Sequence, residues 1–373
     1  MLQTIHRALG RACCRVPVQA RYFSIVGDQA HAAQALADLH KTSGQPTTAK
    51  PKTAILMMNM GGPSEPAETE PFLRRLFTDN DIIDLGGGWL QEKFGTIISK
   101  RRSPAVAEQY KEIGGSPIRK WTQYQSERMC QILDEVRPES APHKAYTAFR
   151  YVDPLTEDTL AQMKEDGVER VVAFSQFPQW SCTTTGSSLN ELWRQVKNLG
   201  LESDFKWSII DRWPLHDGFV DAILERMEER LMDFDVADRE KAVIVFSAHS
   251  VPMKVVEKGD HYVGEVAATV QAVMQKWNSR VRKGSIEGLK KPSKHVLAWQ
   301  SKVGYLPWMS PSTSSTIEQL ATIRGNKTMM LVPIAFTSDH IETLFEIGIE
   351  YVSLFNGVFV GNICRQPLTH HVW

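Results

Sequence analysis

The chain has 373 residues, of which 42% are hydrophobic and 23% are charged, as in ordinary globular proteins. This length suits two compact domains better than one. Its 43 basic and 43 acidic residues balance, which argues against a nucleic-acid partner held by a broad basic surface, and no apolar run of about 18 residues is present to span a bilayer.

The amino-terminal segment has the composition of a mitochondrial presequence. Its first acidic residue is Asp28, and its apolar residues fall near one face if the segment is helical. Four arginines precede that acid, namely Arg7, Arg11, Arg15 and Arg21. An arginine-rich, acid-free and amphipathic start is typical of such targeting segments, and a disordered basic tail is the alternative. We assign residues 1–50 to a presequence and a linker.

The cysteines follow no disulfide or zinc pattern. They form no C-x-x-C pair and no regular framework, which indicates a reducing compartment. The five are Cys13, Cys14, Cys130, Cys182 and Cys364. If the presequence is removed on import, the first two are absent from the mature protein.

From residue 53 onward, apolar runs alternate with helical patterns. Helical patterns include Leu155–Asp166, Gly186–Lys197 and Gly218–Asp233. Alternation of this kind predicts an α/β protein with parallel sheets flanked by helices. The predicted strands are 54–60, 144–152, 170–177, 205–211, 242–250, 295–303 and 328–336.

Two parts of the chain resemble one another, which favours two similar lobes. The run RVVAFSQF, a polar turn and a helix recur as MMLVPIAF, a polar turn and a helix about 160 residues later. Chance similarity among buried strands is the alternative. In such sheets, ligands bind beyond the carboxyl ends of the strands. No G-x-G-x-x-G follows the first strand and no G-x-x-x-x-G-K is present, so the pattern implies neither a dinucleotide nor a nucleoside triphosphate.

The segment 336–350 carries an acidic stripe if it forms a helix capped by Thr337 or Ser338. With the adjacent His340, such a stripe could pass a divalent cation along the helix face. A solvated charged face is the alternative. The acids are Asp339, Glu342, Glu346 and Glu350.

Two histidines follow predicted strands, where a parallel sheet places its chemistry. His249 lies in the turn FSAHSVPM, and His216 lies in DRWPLHD. Each histidine, taken alone, has a purely structural alternative. His249 could be a hydrogen-bonded loop or core residue, and His216 could be a residue of a surface turn.

An apolar, glycine-interrupted stretch precedes a basic pair. The stretch 85–98 contains Trp89 and Phe94, and Arg101 and Arg102 follow it. As an exposed lip, the stretch would contact a membrane surface and an apolar ligand, whereas a buried core segment is the alternative. The arginines could grip carboxylates in a two-pronged fashion.

Together these segments resemble the ferrochelatases of the eukaryotic mitochondrial type. The matches cover most of residues 53–350 and are highly specific. They are ILMMNMGGP (55–63), FLRRLF (72–77), KRRSPAVAEQY (100–110), GGSPI (114–118), APHKAYTAFRYVDPLTE (141–157), SCTTTGSSLN (181–190), DRWP (211–214), VFSAHSVPM (245–253), WQSKVGYLPW (299–308) and LVPIAFTSDHIETL (331–344).

The resemblance implies a chelatase fold, with two Rossmann-like lobes facing one another across a porphyrin cleft. It implies insertion of ferrous iron into protoporphyrin IX, the last step of haem synthesis. It assigns catalysis to His249, Glu342 and His216, and iron contact to His249, Glu342, Glu346, Asp339 and His340.

The resemblance also implies which residues contact the porphyrin and where the protein works. It implies a homodimer in peripheral contact with the matrix side of the inner mitochondrial membrane. The implied lobes are residues 51–200, which include the membrane-facing lip, and 201–351. The porphyrin contacts are Met60, Arg102, Tyr110, Ser116, Arg150, Tyr151 and Trp308.

Some features depart from the family. Residues 352–373 form an atypical tail, and the stretch 277–295 is longer and more basic than expected. Animal ferrochelatases bind a [2Fe–2S] cluster through a cysteine at the position of Cys182 and three near the carboxyl terminus, where this chain has Cys364. We therefore predict that this chain cannot complete the cluster, which needs four ligands. Two alternatives are a catalytically impaired, truncated isoform that binds porphyrin or haem, and a chelatase for another metal.

Overall fold

The computed structural model describes residues 51–83, 87–304, 306–354 and 362–365. The presequence and linker predicted for residues 1–50, and most of the tail predicted for 352–373, lie outside these ranges. Among the described residues, no helix has both the length and the apolarity that crossing a bilayer requires.

The first sheet has four parallel strands in the order β2-β1-β3-β4. Every residue of β1 is buried, because alternate residues face two separate apolar clusters on the two sides of the sheet. A parallel strand covered on both faces therefore appears in the sequence as an unbroken apolar run. The strands are β1 (Thr53–Asn59), β2 (His143–Phe149), β3 (Arg170–Ser175) and β4 (Lys206–Ile210).

The second sheet repeats the plan, with parallel strands in the order β6-β5-β7-β8. Strand β5 is buried along nearly its whole length and pairs with β6 on one side and β7 on the other. The strands are β5 (Val243–His249), β6 (His295–Gln300), β7 (Thr328–Pro333) and β8 (Asn362–Arg365).

Helices cover both sheets. The two longest, Gly88–Glu112 and Tyr262–Arg282, carry residues of the candidate active site. The helices of the first lobe are α1 (Thr69–Thr78), α2 (Gly88–Glu112), α3 (Ile118–Val136), α4 (Thr156–Glu165) and α5 (Ser187–Asn198). Those that follow are α6 (Asp217–Leu231), α7 (Val236–Arg239), α8 (Met253–Glu257), α9 (Tyr262–Arg282) and α10 (Thr313–Thr322). The described residues also form two π-helical segments, Cys182–Gly186 and Glu342–Tyr351, and two short 3-10 helices, Pro66–Glu68 and Pro138–Ser140.

One large apolar cluster joins the two lobes. It contains Ile55 and Phe174 from the first sheet together with Phe246 and Val332 from the second. A buried polar link lies beside this cluster, where the Gln125 side chain donates a hydrogen bond of 2.9 Å to the Thr337 carbonyl. The lobes are therefore packed against each other through core residues.

The predicted α/β architecture with two parallel sheets is confirmed, and each predicted strand overlaps an observed one, with β1 and β2 beginning one residue earlier than predicted. The three predicted helical patterns correspond to α4, α5 and α6. Strand β8 was not predicted; it pairs with β7 and lies in the segment assigned to the tail. The division after residue 200 falls ahead of β4, although β4 pairs with β3 and belongs to the first sheet.

Candidate active site

Three neighbouring strands of the second sheet end beside one another and supply the centre of the candidate site. Strand β5 ends at His249 and β6 ends at Gln300, while β7 leads through a loop to the π-helix that begins at Glu342. The carboxyl ends of adjacent parallel strands meet at one edge of a sheet. This pairing brings together residues that are far apart in the sequence.

The imidazole of His249 is paired with the carboxylate of Glu342. The two atoms in contact, Nδ1 and Oε2, are 2.9 Å apart. The same oxygen accepts hydrogen bonds from the Ser301 hydroxyl at 3.2 Å and the Gln300 amide at 3.4 Å. The Glu342 side chain is 18% exposed and that of His249 is 38% exposed. The carboxylate is thus held in place by His249, Ser301 and Gln300.

Glu346 lies one turn further along the π-helix and faces the same serine. The hydroxyl of Ser301 donates to Oε2 of Glu346 at 2.6 Å. Ser301 therefore lies between two carboxylates that belong to one helix.

His340 approaches the other oxygen of Glu342. Its Nε2 lies 3.6 Å from Oε1 of Glu342, and its ring packs on Phe336 with centroids 4.5 Å apart. The second nitrogen, Nδ1, is buried and has no hydrogen-bond partner among the described residues. Glu342 thus has an imidazole on each side.

The four predicted acids do not form one continuous stripe, which corrects the sequence analysis. Asp339 is buried ahead of the helix, and its Oδ1 accepts a hydrogen bond of 2.7 Å from the Thr343 hydroxyl. Glu350, at the other end, is exposed. The reason for the break is that the π-helix begins only at Glu342, so Asp339 lies in the preceding loop.

The expected helix cap is also absent, because the Thr337 hydroxyl donates to the Gln176 carbonyl of the first lobe at 3.0 Å.

The charges of the site shift one another's pKa values. Burial alone would lower the pKa of His249, but the Glu342 carboxylate outweighs burial, so the pKa of His249 is raised. Burial would raise the pKa of Glu342, yet His249 and His340 hold that pKa far below its usual range. Burial and the neighbouring Glu342 charge raise the pKa of Glu346 to about 7. The site therefore combines an imidazole whose affinity for a proton is raised with one strong and one weak acid.

Aromatic residues from both lobes surround this pair. Tyr110 of α2 is 4% exposed, and burial together with the Glu342 charge raises the pKa of its phenol. Tyr262 of α9 is buried too, and burial and Glu342 raise its pKa in the same way. The Trp308 ring stands edge-on to the His249 ring, with centroids 6.4 Å apart. The first lobe thus reaches the second-lobe site through α2.

Met60 directly follows β1, and Ser116 contacts the turn that comes after it. Met60 packs on the apolar cluster of α1 and the loop after β2, and its carbonyl accepts from the Tyr151 N–H at 3.2 Å. The Ser116 N–H donates to the Pro63 carbonyl at 2.8 Å. A Cβ atom at Gly62 would come within 2.5 Å of the Ser116 hydroxyl, so this turn requires glycine.

Arg150 is held by a buried charge network. Its guanidinium contacts the Asp79 carboxylate and lies 3.2 Å from Glu191, with all three side chains about one-tenth exposed or less. The Tyr151 hydroxyl donates to the same Asp79 at 2.7 Å. The network fastens the end of α1 to the loop after β2 and to α5.

Three other predicted residues lie apart from the His249–Glu342 pair. Arg102 is exposed, with its guanidinium 5.6 Å from the centre of the Phe77 ring. His216 is exposed at the start of α6. Cys182 is partly exposed, and its N–H donates to Asp260 at 2.7 Å.

The described residues do not offer a ready site for a resident metal or cluster. Within the ranges that the structure describes, no group of three or more His, Cys, Asp and Glu side chains is arranged to hold a metal ion. Cys130 is buried in the shared core cluster, and Cys364 lies in strand β8, opposite Met330. With Cys130 inside the core, Cys182 and Cys364 do not by themselves supply the four ligands that a [2Fe–2S] cluster needs.

Three residues of these networks were not predicted from the sequence, namely Gln300, Ser301 and Asp79. The first two lie near the end of the predicted strand 295–303, at the edge of the sheet where ligands bind, so their position could have indicated them. Asp79 carried no comparable signal, because its partner Arg150 is 71 residues away.

Comparison with known proteins identifies close relatives. The family model described as ferrochelatase matches residues 52–369. The mitochondrial ferrochelatase of Schizosaccharomyces pombe is 54% identical over 322 residues, which are 83% of this chain and 73% of that protein. The mitochondrial ferrochelatases of Gallus gallus and Homo sapiens are 49% and 48% identical, over 87% and 83% of this chain and 77% and 70% of theirs.

Among solved structures, SirB from Bacillus subtilis with Fe3+ aligns with a TM-score of 0.46 and 11% identity, covering 86% of this chain and 91% of that one.

Proposed function

The chain belongs to the ferrochelatase family and inserts ferrous iron into protoporphyrin in haem synthesis, and we propose that the His249–Glu342 pair carries out this reaction. The observation that supports this assignment is the contact of 2.9 Å between His249 Nδ1 and Glu342 Oε2. The pair stands at the edge of the second sheet where parallel strands present their ligand-binding loops.

The reaction sets two chemical demands. A free porphyrin holds two N–H protons in a flat apolar ring, and the incoming dication has to replace both. A base with a pKa near working pH suits the first demand, and oxygen ligands that receive a divalent cation suit the second. The site has an imidazole and carboxylates within one hydrogen-bonded group.

We assign the role of base to His249. Burial opposes protonation of the ring, but Glu342 outweighs burial and raises the pKa of His249, so the ring accepts a proton more readily. Because Nδ1 is engaged with Glu342, Nε2 is the atom that would take the two pyrrole protons in turn, passing the first to solvent before it accepts the second. Glu342 then stabilises the imidazolium by a charge-assisted hydrogen bond.

We assign iron delivery to the acidic side of the same group. Ferrous iron, as a substrate, would meet Glu346 and Glu342, with His340 beside them. Carboxylate and imidazole are ligands that suit ferrous iron. Asp339 is part of this proposed set, although the Thr343 hydroxyl occupies one of its oxygens.

The porphyrin is proposed to lie between the lobes, against residues from both. Trp308 and Tyr110 support this placement, since both border the His249–Glu342 pair. Arg150 is neutralised by two carboxylates, so we propose that it shapes the pocket together with Tyr151 rather than pairing with a substrate carboxylate. The full proposed set is Met60, Arg102, Tyr110, Ser116, Arg150, Tyr151 and Trp308.

His216 is proposed as a further functional histidine on the family resemblance alone. Its exposed position at the start of α6 would allow it to meet iron before the inner site does. Substituting His216 by Ala and measuring the KM for ferrous iron tests this role.

The relatives are named mitochondrial, and this protein is mitochondrial with them. We propose that it works on the matrix side of the inner membrane, which it contacts through α2. Three large apolar side chains of that helix are exposed: Trp89 by 70%, Ile97 by 53% and Phe94 by 46%. Exposed aromatic and aliphatic residues with nearby lysines are typical of membrane-surface contacts.

We also propose that the protein is a homodimer, as the resemblance implies, and that its own cysteines do not complete a [2Fe–2S] cluster. Support for the second proposal comes from Cys130, which is buried in the core and unavailable as a ligand at the surface. Sedimentation equilibrium tests the first proposal, and iron and sulfide analysis of the purified protein tests the second.

The deciding experiment is His249→Ala. We expect iron insertion to fall to background while protoporphyrin still binds with near wild-type affinity, as measured anaerobically by absorbance and by fluorescence quenching. The exposed His261 provides the matched control, since His261→Ala should keep wild-type activity. Full activity in His249→Ala would show that His249 is not the base of the reaction. Parallel assays with zinc, cobalt and ferrous iron establish the metal preference.

A further inference from the structure

Ser301 has an unusual backbone conformation at the end of β6. Its φ is 62°, the left-handed region, and among the described residues no other non-glycine residue has a positive φ. A serine adopts this conformation when its surroundings hold it there, and such residues cluster at functional sites.

The conformation directs the Ser301 hydroxyl at two carboxylates. Oγ lies 2.6 Å from Oε2 of Glu346 and 3.2 Å from Oε2 of Glu342. A hydroxyl carries one hydrogen, so it donates to one carboxylate at a time and is shared between them. Two acids of like charge in successive helical turns repel each other, and a donor placed between them fixes their spacing.

The backbone around Ser301 is itself supported on both sides. The buried phenol of Tyr351, at the end of the π-helix, lies near the Ser301 backbone, which acts on its pKa. The Gln300 amide donates to Glu342, and its oxygen accepts from the Ser247 hydroxyl at 2.5 Å. The hydroxyl of Ser301 is therefore aimed by the fold, unlike that of a freely rotating surface serine.

We propose that Ser301 is a positioning residue that holds the carboxylates of Glu342 and Glu346 in the orientation that receives ferrous iron. This inference rests on the proposed role of Glu342. It assigns Ser301 no contact with the porphyrin, so its effect is confined to iron.

The backbone conformation makes a discriminating variant available. Ser301→Gly removes the hydroxyl and also relieves the left-handed backbone, because glycine adopts positive φ without a steric penalty. This variant should be at least as stable as the wild type. Asparagine tolerates the same φ, and its side-chain amide is also a hydrogen-bond donor. Ser301→Asn should therefore recover part of the function. Lys302→Gly is the matched control, since Lys302 is exposed and adjacent.

The measurement is steady-state insertion with ferrous iron and protoporphyrin varied separately, together with a thermal melt. For Ser301→Gly we expect the KM for ferrous iron to rise roughly tenfold, with the KM for protoporphyrin within about twofold of wild type and no loss of melting temperature. Ser301→Asn should lie between, and Lys302→Gly should match the wild type.

Wild-type iron kinetics in Ser301→Gly would overturn the inference. So would equal rises of both KM values, or an activity loss accompanied by a lower melting temperature, because either result indicates a general structural role. The His249→Ala result distinguishes a failure of this inference from a failure of the proposed function. If that variant is inactive and Ser301→Gly is normal, only the present inference fails. If His249→Ala is fully active, the proposed site itself is wrong.

Discussion

The side-chain amide of Gln125 in the first lobe donates a hydrogen bond of 2.9 Å to the backbone carbonyl of Thr337 in the second. The oxygen of the same amide accepts a hydrogen bond from Gln176 at 3.1 Å, and the Thr337 hydroxyl donates to the Gln176 carbonyl at 3.0 Å. Thr337 lies three residues ahead of His340 and five ahead of Glu342 in the chain. These hydrogen bonds therefore fix the loop that leads into the π-helix Glu342–Tyr351 to the first lobe.

We expect Gln125→Leu to destabilise the protein by roughly 2–4 kcal/mol, because the buried side-chain N–H of Gln176 and the Thr337 carbonyl each lose the partner that Gln125 supplies. Urea unfolding followed by circular dichroism measures the change. Gln123, exposed on the same helix, supplies the control, and Gln123→Leu should alter stability by less than about 0.5 kcal/mol. Equal stability of the two variants would show that the link contributes nothing.

The strands were predictable because a strand buried on both faces needs apolar residues at every position, so the pattern is local. The meeting of His249 and Glu342 was predictable for a related reason, since both follow strands of one parallel sheet. The role of Ser301 was not, because its hydroxyl contacts acids 41 and 45 residues away and a serine gives no local sign of positive φ. The π-helical turn was hidden as well, because its sequence satisfies an α-helical pattern.

Removal of the Glu342 charge should lower the pKa of His249. The carboxylate favours the imidazolium, so replacing it with the neutral amide of Gln leaves burial as the dominant influence and favours the neutral ring. We therefore expect the pKa of His249 to be lower in Glu342→Gln than in the wild type. The measurement is a titration of histidine side chains by ¹H–¹⁵N NMR. The exposed Glu318 gives a control, and Glu318→Gln should leave the His249 titration unchanged.

Glu346 should make the folded protein sensitive to pH. Burial and Glu342 raise its pKa to about 7 from a model-compound value of 4.5, so the folded state binds a proton that the unfolded state releases between these two pH values. The stability associated with this proton is present below about pH 4.5 and is lost as the pH rises through about 7. Charged Glu346 therefore destabilises the fold at pH 8.

Glu346→Gln should accordingly be more stable than the wild type at pH 8, by about 1–2 kcal/mol once partial exposure is taken into account. Near pH 4.5 the two proteins should differ little. Urea unfolding at both pH values gives the comparison, with Glu318→Gln as the control for removing an exposed acid. A gain of the same size at both pH values would contradict the raised pKa of Glu346.

The apolar face of α2 should carry the contact with the membrane. Trp89 and Ile97 are more than half exposed, so replacing both with Glu costs little folding energy but places two charges where acyl chains would be met. We expect the double variant to bind vesicles of anionic phospholipid at least about tenfold more weakly, with an unchanged melting temperature and unchanged activity in detergent. Ile323→Glu is the matched control, because Ile323 is 80% exposed on a different part of the surface, just after α10. If the control weakens vesicle binding as much as the α2 variant, the contact is a general effect of surface charge, and α2 has no special role.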